Sequence, residues 1–187
     1  MSSRKVLVYL GATMPADTSY TEAVRLLGEG LARRGMTLVF GGSKEGTMAI
    51  LADAALGQGG KVVGVFTKAL PMEYIYHGMT ETIMTENLLE RKTVMYEMAD
   101  AVVAMPGSFG TWDELFDALE RAKVDVMHGR PAKPIAVLNL GGYYDGVMAL
   151  LERSCQEGYT TRRFSMLLNA CEDVEELLEW LDSGEKR

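Results

Sequence analysis

Short, uninterrupted apolar runs alternate along this chain with longer segments whose apolar residues recur at helical spacing. Val6-Leu7-Val8-Tyr9-Leu10 and Ala101-Val102-Val103-Ala104-Met105 are the clearest runs, closed by Gly11 and Pro106. A strand with one wet face alternates apolar and polar residues, whereas a strand covered on both faces reads as a continuous run. Each run therefore predicts a strand inside a parallel sheet, and parallel strands require crossover segments between them, usually helices.

The rest of the chain fits that alternation. Ser19 and Glu22 have the spacing of a capping box, and Tyr20, Ala23, Val24, Leu27 and Leu31 follow at helical intervals until Arg33-Arg34-Gly35. Further strands are expected at 37–40, 61–66 and 135–138. Helices are expected at about 47–56, 88–98, 111–122 and 143–157, with a last one carrying Val174, Leu177, Leu178 and Leu181. Between 71 and 87 only a short strand around Thr82 to Met84 is legible. The fold class is α/β: a single-domain, Rossmann-like parallel sheet with helices on both faces, over residues 1–187, linked by right-handed crossovers. No repeat, low-complexity tract or Pro/Ser-rich linker divides it, and the charged tail from Gly184 to Arg187 is expected to fray.

Charge narrows the partners. With 19 Lys plus Arg against 26 Asp plus Glu the formal net charge is −7, a field that repels polyanions and argues against nucleic acid. A small anionic ligand would need locally arranged donors. The apolar runs fall far short of the ~20 residues that cross a bilayer, so no membrane partner is expected. Arg4-Lys5 before the first run superficially resembles a signal peptide, but its apolar stretch is too short, and a buried first strand is the expectation. Cys155 and Cys171 cannot form a disulfide framework; such sparse usage fits a reducing compartment and predicts a cytoplasmic protein.

In an open parallel sheet, ligands bind beyond the carboxyl ends of the strands. Two glycine-rich loops fall there: Gly41-Gly42-Ser43-Lys44-Glu45-Gly46 and Pro106-Gly107-Ser108-Phe109-Gly110. Each precedes a helix whose free amides and macrodipole suit a phosphate, although many strand-to-helix turns carry glycine for packing alone. Neither loop fits a dinucleotide fingerprint or a Walker motif. Thr111 and Glu114 have capping-box spacing, a sufficient structural reason for both, yet a carboxylate beside such a loop also faces the ligand edge. Arg91 and Lys92 lie three or four residues from Leu88 and Met95, on the inward-leaning stripe of their helix, with solvent exposure as the alternative. His77, His128, Cys155 and Cys171 lack ligand spacing, so no metal is expected. No Gly-x-Ser-x-Gly elbow exists, and the thirteen methionines read as core filler.

Taken together, Gly41 to Met48, Glu90-Arg91-Lys92 and Pro106 to Glu114 resemble the signature of the LOG ("Lonely Guy") family, the cytokinin-activating phosphoribohydrolases often mislabelled lysine decarboxylases. The family pattern Pro-Gly-Gly-x-Gly-Thr-x-x-Glu is preceded, 23 residues before its Glu, by the Arg of an Arg-Lys pair, and Arg91 and Glu114 keep that spacing. The likeness runs from about Lys5 to Leu181 and takes in Gly141-Gly142-Tyr143-Tyr144 and Glu157-Gly158-Tyr159.

The resemblance implies cleavage of the N-glycosidic bond of a nucleoside 5′-monophosphate, AMP or an N6-modified AMP, to free base and ribose 5-phosphate. It makes Arg91 and Glu114 the catalytic pair. It assigns Gly107, Ser108, Phe109, Gly110 and Thr111 to the phosphate, and Glu73, Lys92, Gly42 and Ser43 to the nucleotide. It implies a homodimer and no cofactor. A pyridoxal-phosphate decarboxylase is set aside, since no lysine stands out as a Schiff-base candidate. The competing reading is a non-catalytic nucleotide or molybdenum-cofactor carrier, for which Glu114 opposite Arg91 has no chemical purpose. Three departures stand out. Ser43 and Ser108 replace family glycines, at a cost of on the order of 1 kcal/mol if either needs positive φ. Glu120-Arg121-Ala122-Lys123 stands where the family has Thr-Trp-Ala-Gln. About four extra residues also precede Pro134, and with the changed 120–123 segment they predict altered base specificity or subunit contact.

Overall fold

A computed structural model describes residues 3–184. Its elements in chain order are β1 (Lys5–Tyr9), α1 (Thr18–Arg33), β2 (Thr37–Phe40), α2 (Gly46–Gly57), β3 (Lys61–Thr67), β4 (Glu81–Thr85), α3 (Leu88–Met98) and β5 (Ala101–Ala104). There follow α4 (Phe109–Met127), β6 (Ile135–Leu138), α5 (Asp145–Gln156), α6 (Arg162–Ser165), β7 (Leu168–Cys171) and α7 (Val174–Ser183). These seven strands pair in parallel, in the order β4-β3-β2-β1-β5-β6-β7. The α/β expectation is met.

The central strands carry the continuous runs because both of their faces are covered. Val6, Val8 and Val103 turn toward a core shared with α1, α2 and α7. Leu7, Tyr9 and Val102 turn toward one shared with α3, α4 and α5. Register places Val6 opposite both Leu38 and Ala101, so β1 is the hub of the sheet.

Several local expectations are corrected. Ser19 does not cap α1. Asp17 does, its carboxylate accepting from the Ser19 amide at 2.8 Å, while Glu22 pairs with Arg25 instead. Thr111 is not a cap either, because α4 begins earlier, with Ser108 at the N-cap, and runs on to Met127. Strand β7 had no apolar run to announce it: its residues Leu168-Asn169-Ala170-Cys171 sit at the sheet edge, half-buried in the middle. Strand β4, the other edge, is longer than its legible part. The expected frayed tail lies outside the described residues beyond Gly184, which itself is the left-handed C-cap of α7. Among the described residues no helix is long and apolar enough to cross a membrane.

Candidate active site

Strand order reverses between β1 and β5: the chain leaves β1 for one face of the sheet and β5 for the other. Such a switch point opens a crevice at the carboxyl edge. A cleft of about 200 Å³ lies there, its wall formed by Gly11, Thr13, Met14, Tyr20, Gly107 and Tyr143.

Helix α3 reaches this edge from β4. Asn87 caps it, accepting from the Glu90 amide at 2.9 Å, and one turn later Arg91 points into the fold. Its Nε donates to the Val65 carbonyl at 2.9 Å, its Nη2 to the Gly41 carbonyl at 2.9 Å and its Nη1 to Glu114 Oε1 at 3.2 Å. Arg91 is 7% and Glu114 8% exposed. A buried guanidinium needs partners on this scale, since stripping one from a buried ion pair is strongly destabilising. The approach depends on Gly41, where a Cβ would fall 1.9 Å from Arg91 Nη2.

Sequence periodicity put Arg91 and Lys92 on one inward stripe; the structure separates them. Lys92, its side chain 16% exposed, lies between α3 and α4, its ammonium 3.0 Å from Asp113 and 3.7 Å from Asp117. Glu114 is thus surrounded by charges of both signs. Burial dominates and pushes its carboxyl up to about 7; Arg91 and Lys92 pull it down, Asp113 and Asp117 push it up. A carboxyl that changes protonation near neutrality is suited to proton transfer.

The second glycine loop leads into α4. Ser108 is extended, with φ −130°, and its side chain makes no capping bond. The first-turn amides of a helix have no partners within the helix, and this helix end faces the crevice. Thr111 Oγ1 is buried without a hydrogen-bond partner, a state that costs about 1–3 kcal/mol unless a ligand relieves it. A Cβ on Gly107 would lie 2.2 Å from that oxygen, so glycine lets the loop close over Thr111. No non-glycine residue among those described has positive φ, hence Ser43 and Ser108 sit without backbone strain. Phe109 is 83% exposed, edge-on to Trp112.

The remaining site residues approach from β2 and β3. Ser43 bridges to Ile75, and the Gly42 carbonyl accepts from the Tyr76 amide at 2.8 Å. This tie holds the turn that carries the exposed Glu73 against the first glycine loop. Residue-by-residue reading did not single out Tyr143 and Tyr144. The Tyr143 hydroxyl donates to the Gly107 carbonyl and the Tyr144 hydroxyl to the Met105 carbonyl at 2.7 Å, so the pair after Gly141-Gly142 braces the phosphate-type loop. Among the described residues no three His, Cys, Asp or Glu side chains are grouped to hold a metal ion.

A family model described as "possible lysine decarboxylase" matches residues 48–181. A Rhodococcoides fascians protein named cytokinin riboside 5′-monophosphate phosphoribohydrolase is 35% identical over 92% of this chain and 86% of its own length. A probable enzyme of the same name from Oryza sativa subsp. japonica is 34% identical over 94% of this chain and 70% of its own. The molybdenum cofactor binding protein of Rippkaea orientalis superposes with a TM-score of 0.71 at 19% identity over 98% of each chain, a likeness of fold alone. With the family model covering most of the sequence and relatives above 30% identity aligned along nearly all of it, the chain belongs to the LOG-type, "possible lysine decarboxylase" family.

Proposed function

We propose that this chain hydrolyses the N-glycosidic bond of a nucleoside 5′-monophosphate, AMP or an N6-modified AMP, releasing free base and ribose 5-phosphate. The observation that carries the reading is the buried Arg91–Glu114 pair beside an open phosphate-type loop. The relatives' names point to the same reaction.

The 5′-phosphate sits on the α4 N-terminus, held by the Ser108, Phe109, Gly110 and Thr111 backbone and the Thr111 hydroxyl, with Gly107 allowing close approach. Phosphate binding turns the anomeric carbon toward Glu114. As the carbon–nitrogen bond breaks, positive charge develops on the sugar ring, and the Glu114 carboxylate stabilises it. Water then forms the new carbon–oxygen bond, giving its proton to Glu114, which passes it to the departing base. Arg91 orients Glu114 and supports the electrons leaving with the base. Gly42, Ser43, Glu73 and Lys92 line the path of sugar and base. No cofactor enters these steps.

The whole chain, 1–187, acts as one nucleotide-binding domain and as a cytoplasmic homodimer, with neither nucleic acid nor membrane as partner. Leu88 and Leu89 at the start of α3 and Phe109, Trp112 and Phe116 on α4 leave apolar surface exposed beside the site, which a second copy would cover. Light scattering is expected to give twice 20.5 kDa; monomer mass alone removes the dimer. The activity test is a panel of nucleoside mono- and diphosphates and free nucleosides assayed for base and ribose 5-phosphate. Release from monophosphates supports the reading, and no release from any of them defeats it.

A further inference from the structure

Asp117 lies one helical turn beyond Glu114 on α4. Its Oδ2 accepts from Arg121 Nε at 2.7 Å, and its Oδ1 stands 3.7 Å from the Lys92 ammonium. Arg121 is held in turn, donating to Thr93 Oγ1 at 3.0 Å and lying 5.5 Å from the Tyr96 ring centroid. Asp113, Lys92, Asp117 and Arg121 thus form a ladder of alternating charge that ties α3 to α4 immediately outside the Arg91–Glu114 pair. Its last rung belongs to the segment in which this chain departs from Thr-Trp-Ala-Gln.

We infer that Asp117 is a positioning residue for the glycosidase reaction: it fixes Lys92 and Arg121 in place and keeps an anion one turn from Glu114, which sets the pH range over which Glu114 works. This rests on the proposed function. The charged and titratable groups around Glu114 are Arg91 and Lys92 from α3, Tyr9 from β1, and Asp113 and Asp117 from α4 itself. Asp113 raises the Glu114 carboxyl more than Asp117 does, but the two anions differ in how they are held. The Asp113 side chain is 64% exposed and paired with Lys92, whereas that of Asp117 is 24% exposed and is held by Arg121 as well as Lys92, so Asp117 is the one whose place the ladder fixes.

Asp117→Asn keeps the shape and removes the charge. The rising limb of kcat/KM is expected to move to lower pH by about half a unit, a roughly threefold gain at about pH 5.5 relative to the plateau. Asp117→Glu restores the wild-type limb. Arg121→Gln, which leaves Asp117 less neutralised, moves it the other way. Asp182→Asn, on α7 and paired with Arg34, moves nothing. Coincident limbs in wild type, Asp117→Asn and Arg121→Gln overturn the inference. A direct readout is ¹³C NMR titration of the Glu114 carboxyl, assigned by its loss in Glu114→Gln. It should titrate lower in Asp117→Asn, and an unmoved titration rejects the role of Asp117. If no nucleotide yields base, the glycosidase reading fails, and the NMR titration still decides whether Asp117 tunes Glu114.

Discussion

Arg91 Nη1 stands 3.2 Å from Glu114 Oε1, and the two side chains, 8% and 10% exposed, meet under the carboxyl edge of the sheet. Neither is spent on local structure: Glu114 does not cap its helix, and Arg91 binds the carbonyls of Val65 in β3 and of Gly41 in the loop after β2. A protein that needed only stability would replace this pair with apolar residues at little cost.

Burial that pushes the Glu114 carboxyl up to about 7 makes kcat/KM pH-dependent. If the carboxylate is the working form, the rate rises with pH through about 7 and levels above it. Stability runs the other way. The folded carboxyl holds its proton more tightly than at the ordinary 4.5. This contribution is therefore full below about pH 4.5 and lost as pH rises through about 7, on the order of 3 kcal/mol. Melting wild type and Glu114→Gln side by side should show the variant gaining on wild type between about pH 5 and about pH 8. A constant gap contradicts the burial of an ionising Glu114.

Gly41→Ala inserts a methyl 1.9 Å from Arg91 Nη2. Backbone cannot yield as a side chain does, so Arg91 must swing away from Glu114. The expected result is a loss of about 1–3 kcal/mol in stability and at least a tenfold fall in kcat, with far-UV circular dichroism retained. Wild-type turnover would show that Arg91 need not hold its place.

Thr111→Val removes a buried hydroxyl that has no protein partner. Because an unsatisfied hydroxyl is a burden to the free protein, the variant's melting temperature should match or exceed wild type. Affinity for nucleoside monophosphate should drop by roughly tenfold, the loss of a hydrogen bond to a charged group. Calorimetry of the two proteins with AMP checks both halves, and unchanged affinity would remove Thr111 from the phosphate site.

What could be read from sequence follows from how each signal is generated. Strands β1 and β5 were legible because both faces are buried, leaving no polar residue to interrupt the run. Strand β7 was not, since an edge position admits Asn169, whose amide donates to the Ile135 carbonyl at 3.1 Å. The start of α1 was misplaced because Asp17 and Ser19 are both capping types two residues apart, and only the fold decides which one turns inward. Neighbouring helical positions point about 100° apart, so Arg91 and Lys92, both largely covered, meet different partners. Arg91 reaches carbonyls 26 and 50 residues away, which no local pattern reports. The Arg91–Glu114 pairing came from motif spacing, whereas the ladder through Asp117 and the brace from Tyr143 depend on packing that no periodicity reports.

The most direct measurement is base release from AMP by wild type and Glu114→Gln, followed with a ribose 5-phosphate assay. Loss of one acid–base group in such reactions costs about 10²–10⁴-fold in rate. A fall of that size in kcat, with nucleotide affinity near wild type and the fold intact, is the predicted result. Turnover by the Gln variant within a few-fold of wild type would contradict the account.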